Sequence, residues 1–275
     1  FDYLAPQFQE IRNFVGRHHP KSLTFIGCGS SYCLCQSAAA SGAVRLGIPT
    51  MAVAAGDLLI NFKHYEGVLK NTMLVAPSRS GGTSEVILAA EKVRALGVPI
   101  IGIAAKRKAP LADLADLSIE LPWAFDESVC QTRTVTNLYT ANLLLLGMMG
   151  KDKQLVEEID RAIANGRAFM EEYTDLAREI AGQEWDNVVI LADSELAGIA
   201  REAAIAFIEI PQVHANHYHV LDVRHGPMVL VNAKTLVVAV MSPEEVQLQQ
   251  ELLADLKGRG AKVVTISQDA SLGML

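Results

Sequence analysis

The sequence predicts an α/β protein of two subdomains, each a parallel sheet flanked by helices in three layers. Three observations predict it. Short apolar runs alternate with amphipathic stretches from residue 22 to 121, only helical patterning follows from about 134 to 182, and a second strand–helix alternation runs from 187 to 266. Strands that alternate with helices imply βαβ units and a sheet covered on both faces. The expected boundaries are 1–150 for the first subdomain, 151–182 for a helical connector and 183–275 for the second.

Residues 22–27, 49–54, 71–77, 98–104 and 117–121 are apolar runs bounded by Gly, Pro, Asn or charged residues, and each is expected to be a buried strand. Between them, 31–46 and 83–96 are amphipathic and stop at Gly47 and Gly97, a common helix terminus, and 110–116 makes a shorter helix. Leu138, Leu143, Leu144 and Leu145 pattern one connector helix; Ile159, Ile163, Phe169 and Tyr173 pattern another. The second subdomain then offers strand 187–192, helix 196–208, strand 235–241, helix 243–258 and strand 261–266. With three clear strands against five, its sheet is expected to be incomplete where the chain stops at Leu275.

Composition narrows the function. The 275 residues are half hydrophobic and one-fifth charged, enough to bury a large core. A net charge of −7, with no basic run longer than Lys106-Arg107-Lys108, argues against a nucleic-acid partner. No apolar stretch reaches the roughly 18 residues of a membrane helix, and no signal pattern opens the chain. Cys28, Cys33, Cys35 and Cys130 lack the paired spacing of a zinc site or a disulfide framework, so a reducing cytoplasm is expected.

Two loops follow strands at the end of the sheet where ligands of parallel sheets bind. One is Gly27-Cys28-Gly29-Ser30-Ser31; the other is Ser78-Arg79-Ser80-Gly81-Gly82-Thr83. A Gly- and hydroxyl-rich turn that opens a helix presents N–H and O–H groups to an anion, and the helix dipole adds to the attraction. Gly and Ser also suit any βα turn; two such loops after neighbouring strands favour the anion cradle. Arg79 adds a guanidinium suited to phosphate. The first loop is no dinucleotide fingerprint, because Tyr32 stands in place of the third glycine, and no Gly-Lys-Ser/Thr occurs in the chain. No cofactor is expected. Further along, Glu209 ends a helix and precedes a histidine-rich turn with His214, His217, His219 and His225. The irregular spacing of the first three matches no common zinc helix, so no metal is expected. His225 precedes Gly226-Pro227, a turn that holds the ring at a loop tip where it can move protons.

From about residue 20 onward these motifs resemble double sugar-isomerase (SIS) domain proteins. The likeness extends to the isomerase half of glucosamine-6-phosphate synthase and, in Arg224-His225-Gly226-Pro227, to the tagatose-6-phosphate ketose/aldose isomerase-like group. The family's S-x-S-G-x-T cradle matches Ser78, Ser80, Gly81 and Thr83, and its C-G-[ST]-S loop matches Cys28, Gly29, Ser30 and Ser31. Its catalytic glutamate falls on Glu209, its ring-opening histidine on His225, and its sugar-lining valine on Val129 within 126–132. Ala206 replaces the synthase's lysine, Arg79 its glutamine, and the synthase's closing tail is expected to be missing.

The resemblance implies a metal-free aldose/ketose isomerase or aminosugar-phosphate deaminase. Its substrate would be a hexose or aminohexose 6-phosphate, and it would act as a homodimer whose site is shared between subunits. Two alternatives stay open on the same fold: a fructosamine-6-phosphate deglycase, and a non-catalytic phosphosugar sensor.

Overall fold

The computed structural model describes residues 7–272. The chain divides into two compact units, Phe1–Arg167 and Ala168–Leu275, with the division inside one long helix.

The first unit holds α1 (Phe8–His18), β1 (Leu23–Gly27), α2 (Ser30–Leu46), β2 (Thr50–Ala54), α3 (Ala55–Ile60), α4 (Phe62–Leu69), β3 (Met73–Ser78) and α5 (Ser84–Arg94). It continues through β4 (Ile100–Ala104), α6 (Pro110–Leu114), β5 (Leu117–Glu120), α7 (Arg133–Gly150) and the start of α8 (Lys153–Ala181). All five strands pair in parallel in the order β2-β1-β3-β4-β5. β1, β3 and β4 are buried along their whole length, which is why they read as unbroken apolar runs. The five expected strands are all present. α1, α3 and α4 are helices that apolar periodicity alone did not separate from their neighbours.

In the second unit β6 (Asn187–Leu191), α9 (Ala197–Glu209), β7 (His214–Tyr218), β8 (Thr235–Val240), α10 (Val246–Gly258) and β9 (Lys262–Ile266) form a parallel sheet of order β7-β6-β8-β9. One face packs Val188, Ile190 and Leu236 against Ala200 and Ala204 of α9; the other packs Val189, Leu191, Val237 and Ala239 against Leu252, Leu253 and Leu256 of α10. Four described strands stand where three were expected. The addition is β7, read from sequence as part of a histidine-rich turn. It is an edge strand paired with β6 from Asn187↔His214 to Leu191↔Tyr218, and it buries only Ala215. An edge strand that needs so little apolar surface leaves no hydrophobic signature.

Each sheet reverses its strand order once, between β1 and β3 in the first unit and between β6 and β8 in the second. Such switch points open a crevice at the carboxyl ends of the strands. In the first unit the crevice is bounded by Gly27 and Ser78.

Candidate functional site

Both Gly/Ser loops meet at the switch point of the first sheet. Together they enclose a pocket of about 90 Å³ lined by Cys28, Ser31, Ser78, Arg79, Ser80, Thr83 and Gln131, among others. That is about three water volumes, room for a phosphate group but not for a whole sugar. α2 and α5 both begin here. Neither helix has a side-chain cap, so the N–H groups of both first turns face the crevice without one.

Local chemistry fixes the second loop. The Ser78 hydroxyl, buried at the end of β3, accepts the Gly81 N–H at 3.0 Å, and the Ser80 hydroxyl accepts the Gly82 N–H at 3.2 Å. Gly81 has φ +60°, and a Cβ there would lie 2.5 Å from the Ala109 Cβ, so the tight turn admits only glycine. Gly27 is required for another reason: a Cβ on it would fall 2.9 Å from the backbone of Ser31 and Tyr32. Its absence lets the first turn of α2 descend onto β1. Gly29 (φ +53°) begins that turn, and Ser30 and Ser31 are buried within it. The Cys28 thiol is half-buried, and burial, followed by the nearby Glu85 carboxylate, pushes its pKa up against a hydrogen bond at Gly56. Cys28 is therefore a poor nucleophile.

Arg79 lines the pocket, but its guanidinium is turned to the chain that follows β5. Nη1 donates to Asp126 Oδ1 at 3.2 Å, to the Ser128 carbonyl at 2.5 Å and to the Val129 carbonyl at 3.3 Å. Asp126 is held in turn by the N–H groups of Thr132 (3.3 Å) and Thr134 (3.1 Å) and by the Thr134 hydroxyl (3.1 Å), at the start of α7. Burial alone would raise the Asp126 pKa; the bonds from Thr134, Thr132 and Arg79 outweigh it and hold the carboxyl below the usual aspartate value. Residues 126–132 thus form a strap held to the cradle by Arg79 and to the start of α7 by Thr134. Val129 contributes its carbonyl to Arg79, while the residue is 91 % exposed and does not line the pocket. Sequence reasoning missed Asp126 and Gln131. Both lie in the 126–132 element that the family resemblance singles out, but it assigns a role there only to Val129.

Glu209 and His225 belong to the second unit. Glu209 is the last residue of α9 and is exposed. His225 is exposed at the end of a 3₁₀ turn over Asp222–Arg224, where its N–H donates to the Asp222 carbonyl at 2.9 Å. Arg224 anchors this turn to α10, with Nε and Nη2 donating to Asp255 Oδ2 at 3.1 and 2.6 Å. His217 and His219 stand near each other on and just after β7, but each has a structural partner. The His217 Nε2–H donates to the Ala192 carbonyl at 2.9 Å, and His219 Nδ1 lies 2.8 Å from Asp193 Oδ1. Among the described residues no group of three or more His, Cys, Asp or Glu is placed to hold a metal, and no helix is long and apolar enough to cross a membrane.

A larger cavity, about 690 Å³, opens at the carboxyl ends of β6 and β8. Its lining includes Asp193, Glu195, Glu244 and Glu245 and no Lys, Arg or His. That field repels a phosphate. The smaller pocket of the first unit, by contrast, has no acidic lining residue.

The SIS-domain family model matches residues 18–149 and 183–271. The chain belongs to the SIS-domain family. Both sheets lie within the matched residues, and the SIS match leaves out all of α8. Among curated SIS relatives, a glutamine–fructose-6-phosphate aminotransferase (isomerizing) of Sulfurisphaera tokodaii is 26 % identical over 272 residues, covering 97 % of this chain and 43 % of the relative. The chain spans less than half the length of that relative. Two solved structures share the SIS fold. A glucosamine-6-phosphate deaminase from Thermotoga maritima aligns with a TM-score of 0.84 at 25 % identity, over 96 % of this chain and 83 % of that one. The tagatose-6-phosphate ketose/aldose isomerase from Escherichia coli aligns with a TM-score of 0.82 at 22 % identity, over 99 % and 78 %.

Proposed function

We propose that this SIS protein is a phosphosugar isomerase or aminosugar-phosphate deaminase acting on a hexose or aminohexose 6-phosphate. The observation that carries the reading is the pocket at the β1/β3 switch point, where two helix N-termini and the hydroxyls of Ser31, Ser78, Ser80 and Thr83 converge. Such a concavity suits a phosphate dianion, because N–H and O–H donors stabilise it and no carboxylate lines the pocket. All three relatives are named for a hexose or aminohexose 6-phosphate.

The phosphate anchors the substrate, and binding energy from this remote group positions the reacting carbons. Glu209 then moves a proton between C1 and C2. It takes the proton from one carbon, and the electron pair forms the C1–C2 double bond of an enediolate. The proton returns to the other carbon while the hydroxyl proton passes between O1 and O2, so that the carbonyl moves from one carbon to the other. His225 assists ring opening by passing a proton between the ring oxygen and the anomeric hydroxyl. These two roles are supported by the match to the family motifs, a glutamate at a helix end and a histidine in an Arg-His-Gly-Pro turn. The protein works as a homodimer; exposed Ile208, Ile210, Val229 and Leu230, which flank Glu209 and follow His225, support that assembly. The four cysteines, none of them in a disulfide, are consistent with a reducing cytoplasm.

The test is equilibrium binding and turnover with a panel of hexose and aminohexose 6-phosphates, following ketose and ammonia separately, alongside Ser80→Ala/Thr83→Ala. The double variant should weaken the phosphorylated sugars by about 1.5–3 kcal/mol for each charge-assisted hydrogen bond lost, and leave unphosphorylated sugars unaffected. Equal binding of both by variant and wild type would place the phosphate elsewhere. Binding without turnover would make the protein a sensor.

A further inference from the structure

Gln131 stands in the strap between anchored neighbours. Ser128 and Val129 give their carbonyls to Arg79, and Thr132 gives its N–H to Asp126. With the backbone fixed on both sides, Gln131 lines the cradle pocket together with Ser31, Ser80 and Thr83. Its Oε1 is buried and has no hydrogen-bond partner. Buried polar atoms in folded proteins are ordinarily paired, and an unpaired one calls for a reason. Ser41, Asn142 and Asn187 also carry such atoms, but none of them lines the cradle. The orphaned Oε1 at the cradle is explained if its partner is the ligand.

We propose that Gln131 is a further substrate-contacting residue, whose side-chain amide completes the wall of the cradle and hydrogen-bonds the bound phosphosugar. The inference rests on reading the cradle as the phosphate site. An amide is neutral and two-faced: turned about its last bond, it offers Nε2–H to a phosphate oxygen or Oε1 to a sugar hydroxyl. A carboxylate of the same shape accepts only, and it repels a phosphate dianion. Gln131→Glu is therefore the discriminating change, since it preserves size and alters only what the wall can recognise.

The experiment measures affinity of the full chain for fructose 6-phosphate and for inorganic phosphate in wild type, Gln131→Glu, Gln131→Ala and Ser80→Ala/Thr83→Ala, with a thermal melt of each. Gln131→Glu should weaken fructose 6-phosphate by about tenfold or more at an unchanged melting temperature. A parallel loss for inorganic phosphate places the contact on the phosphate; an unchanged phosphate affinity places it on a sugar hydroxyl. If Gln131→Glu does not fold, Gln131→Ala carries the same comparison with a smaller expected loss. Wild-type affinity of the Gln131 variants for both probes, with binding lost in Ser80→Ala/Thr83→Ala, overturns the role of Gln131 alone. Wild-type affinity in every variant overturns the cradle itself.

Discussion

Arg79 and Asp126 are joined by a 3.2 Å ion pair between the loop that follows β3 and the chain that follows β5. Their side chains are 25 % and 10 % exposed, so the pair is shielded from water more than an ordinary surface bridge. Arg79 therefore has a second use besides any contact with an anion: it ties residues 126–132 across the edge of the pocket. Asp126, at the start of α7, also meets the positive end of a helix dipole.

Asp126→Asn should accordingly loosen the strap. It removes the charge that Arg79 and the N–H groups of Thr132 and Thr134 face, at an expected cost of about 1–3 kcal/mol in stability. Arg79→Gln should cost less by itself. A double-mutant cycle by urea unfolding should give a coupling clearly above zero, and additive losses would mean that the two side chains act independently.

How the structure is reached from sequence depends on where each residue's partners lie. β1, β3 and β4 are legible because both of their faces are buried, and the cradle is legible because its chemistry is local: Ser78, Gly81 and Thr83 lie within six positions. Arg79 is legible only as a cation. Its partner lies 47 positions away and arrives through the parallel register β3–β4–β5. β7 stays hidden for the opposite reason. His214-Ala215-Asn216-His217-Tyr218 forms an edge strand that sinks one alanine, so the pairing with β6 is carried by backbone that leaves no trace in side-chain hydropathy.

Gly81→Ala tests the turn that shapes the cradle. The added Cβ meets Ala109 at 2.5 Å and Ala104 at 3.0 Å, at a φ of +60° that alanine resists. A loss of about 2–4 kcal/mol is expected from left-handed strain and overpacking together. Phosphosugar affinity should fall with it, because the Gly81 N–H is held by Ser78. A variant with wild-type unfolding and binding would mean that the 78–83 loop relaxes without cost.

His217 makes the second unit sensitive to mild acid. Burial is the largest influence and lowers its pKa below the ordinary 6.5; the Ala192 carbonyl opposes the shift, and His219 adds to it. The fold thus favours the neutral ring, whose Nε2–H is donated to Ala192. Because the folded-state value is depressed, this contribution is complete above pH 6.5 and is lost as pH falls through the folded-state value. His217→Gln, compared with wild type in unfolding titrations between pH 7.5 and about 5, should remove that part of the slope. An identical pH dependence would assign the slope to other groups.

Glu209→Gln and His225→Asn separate chemistry from structure. Both residues are exposed, so neither substitution should measurably change stability. Glu209→Gln keeps the shape and hydrogen bonding of the side chain and removes the basic carboxylate, and a proton transfer between C1 and C2 that depends on it should slow by roughly 10²–10⁴-fold in kcat with substrate affinity near wild type. His225→Asn should act on a different step. It should impair a cyclic hexose 6-phosphate more than a substrate that is already open, because only the former needs the ring broken. Solvent deuterium provides the direct measurement: wild type should exchange the C2 proton during turnover, and Glu209→Gln should exchange it far more slowly. Exchange at the wild-type rate in Glu209→Gln would remove that residue from the mechanism, and equal losses on cyclic and open substrates would do the same for the ring-opening role of His225.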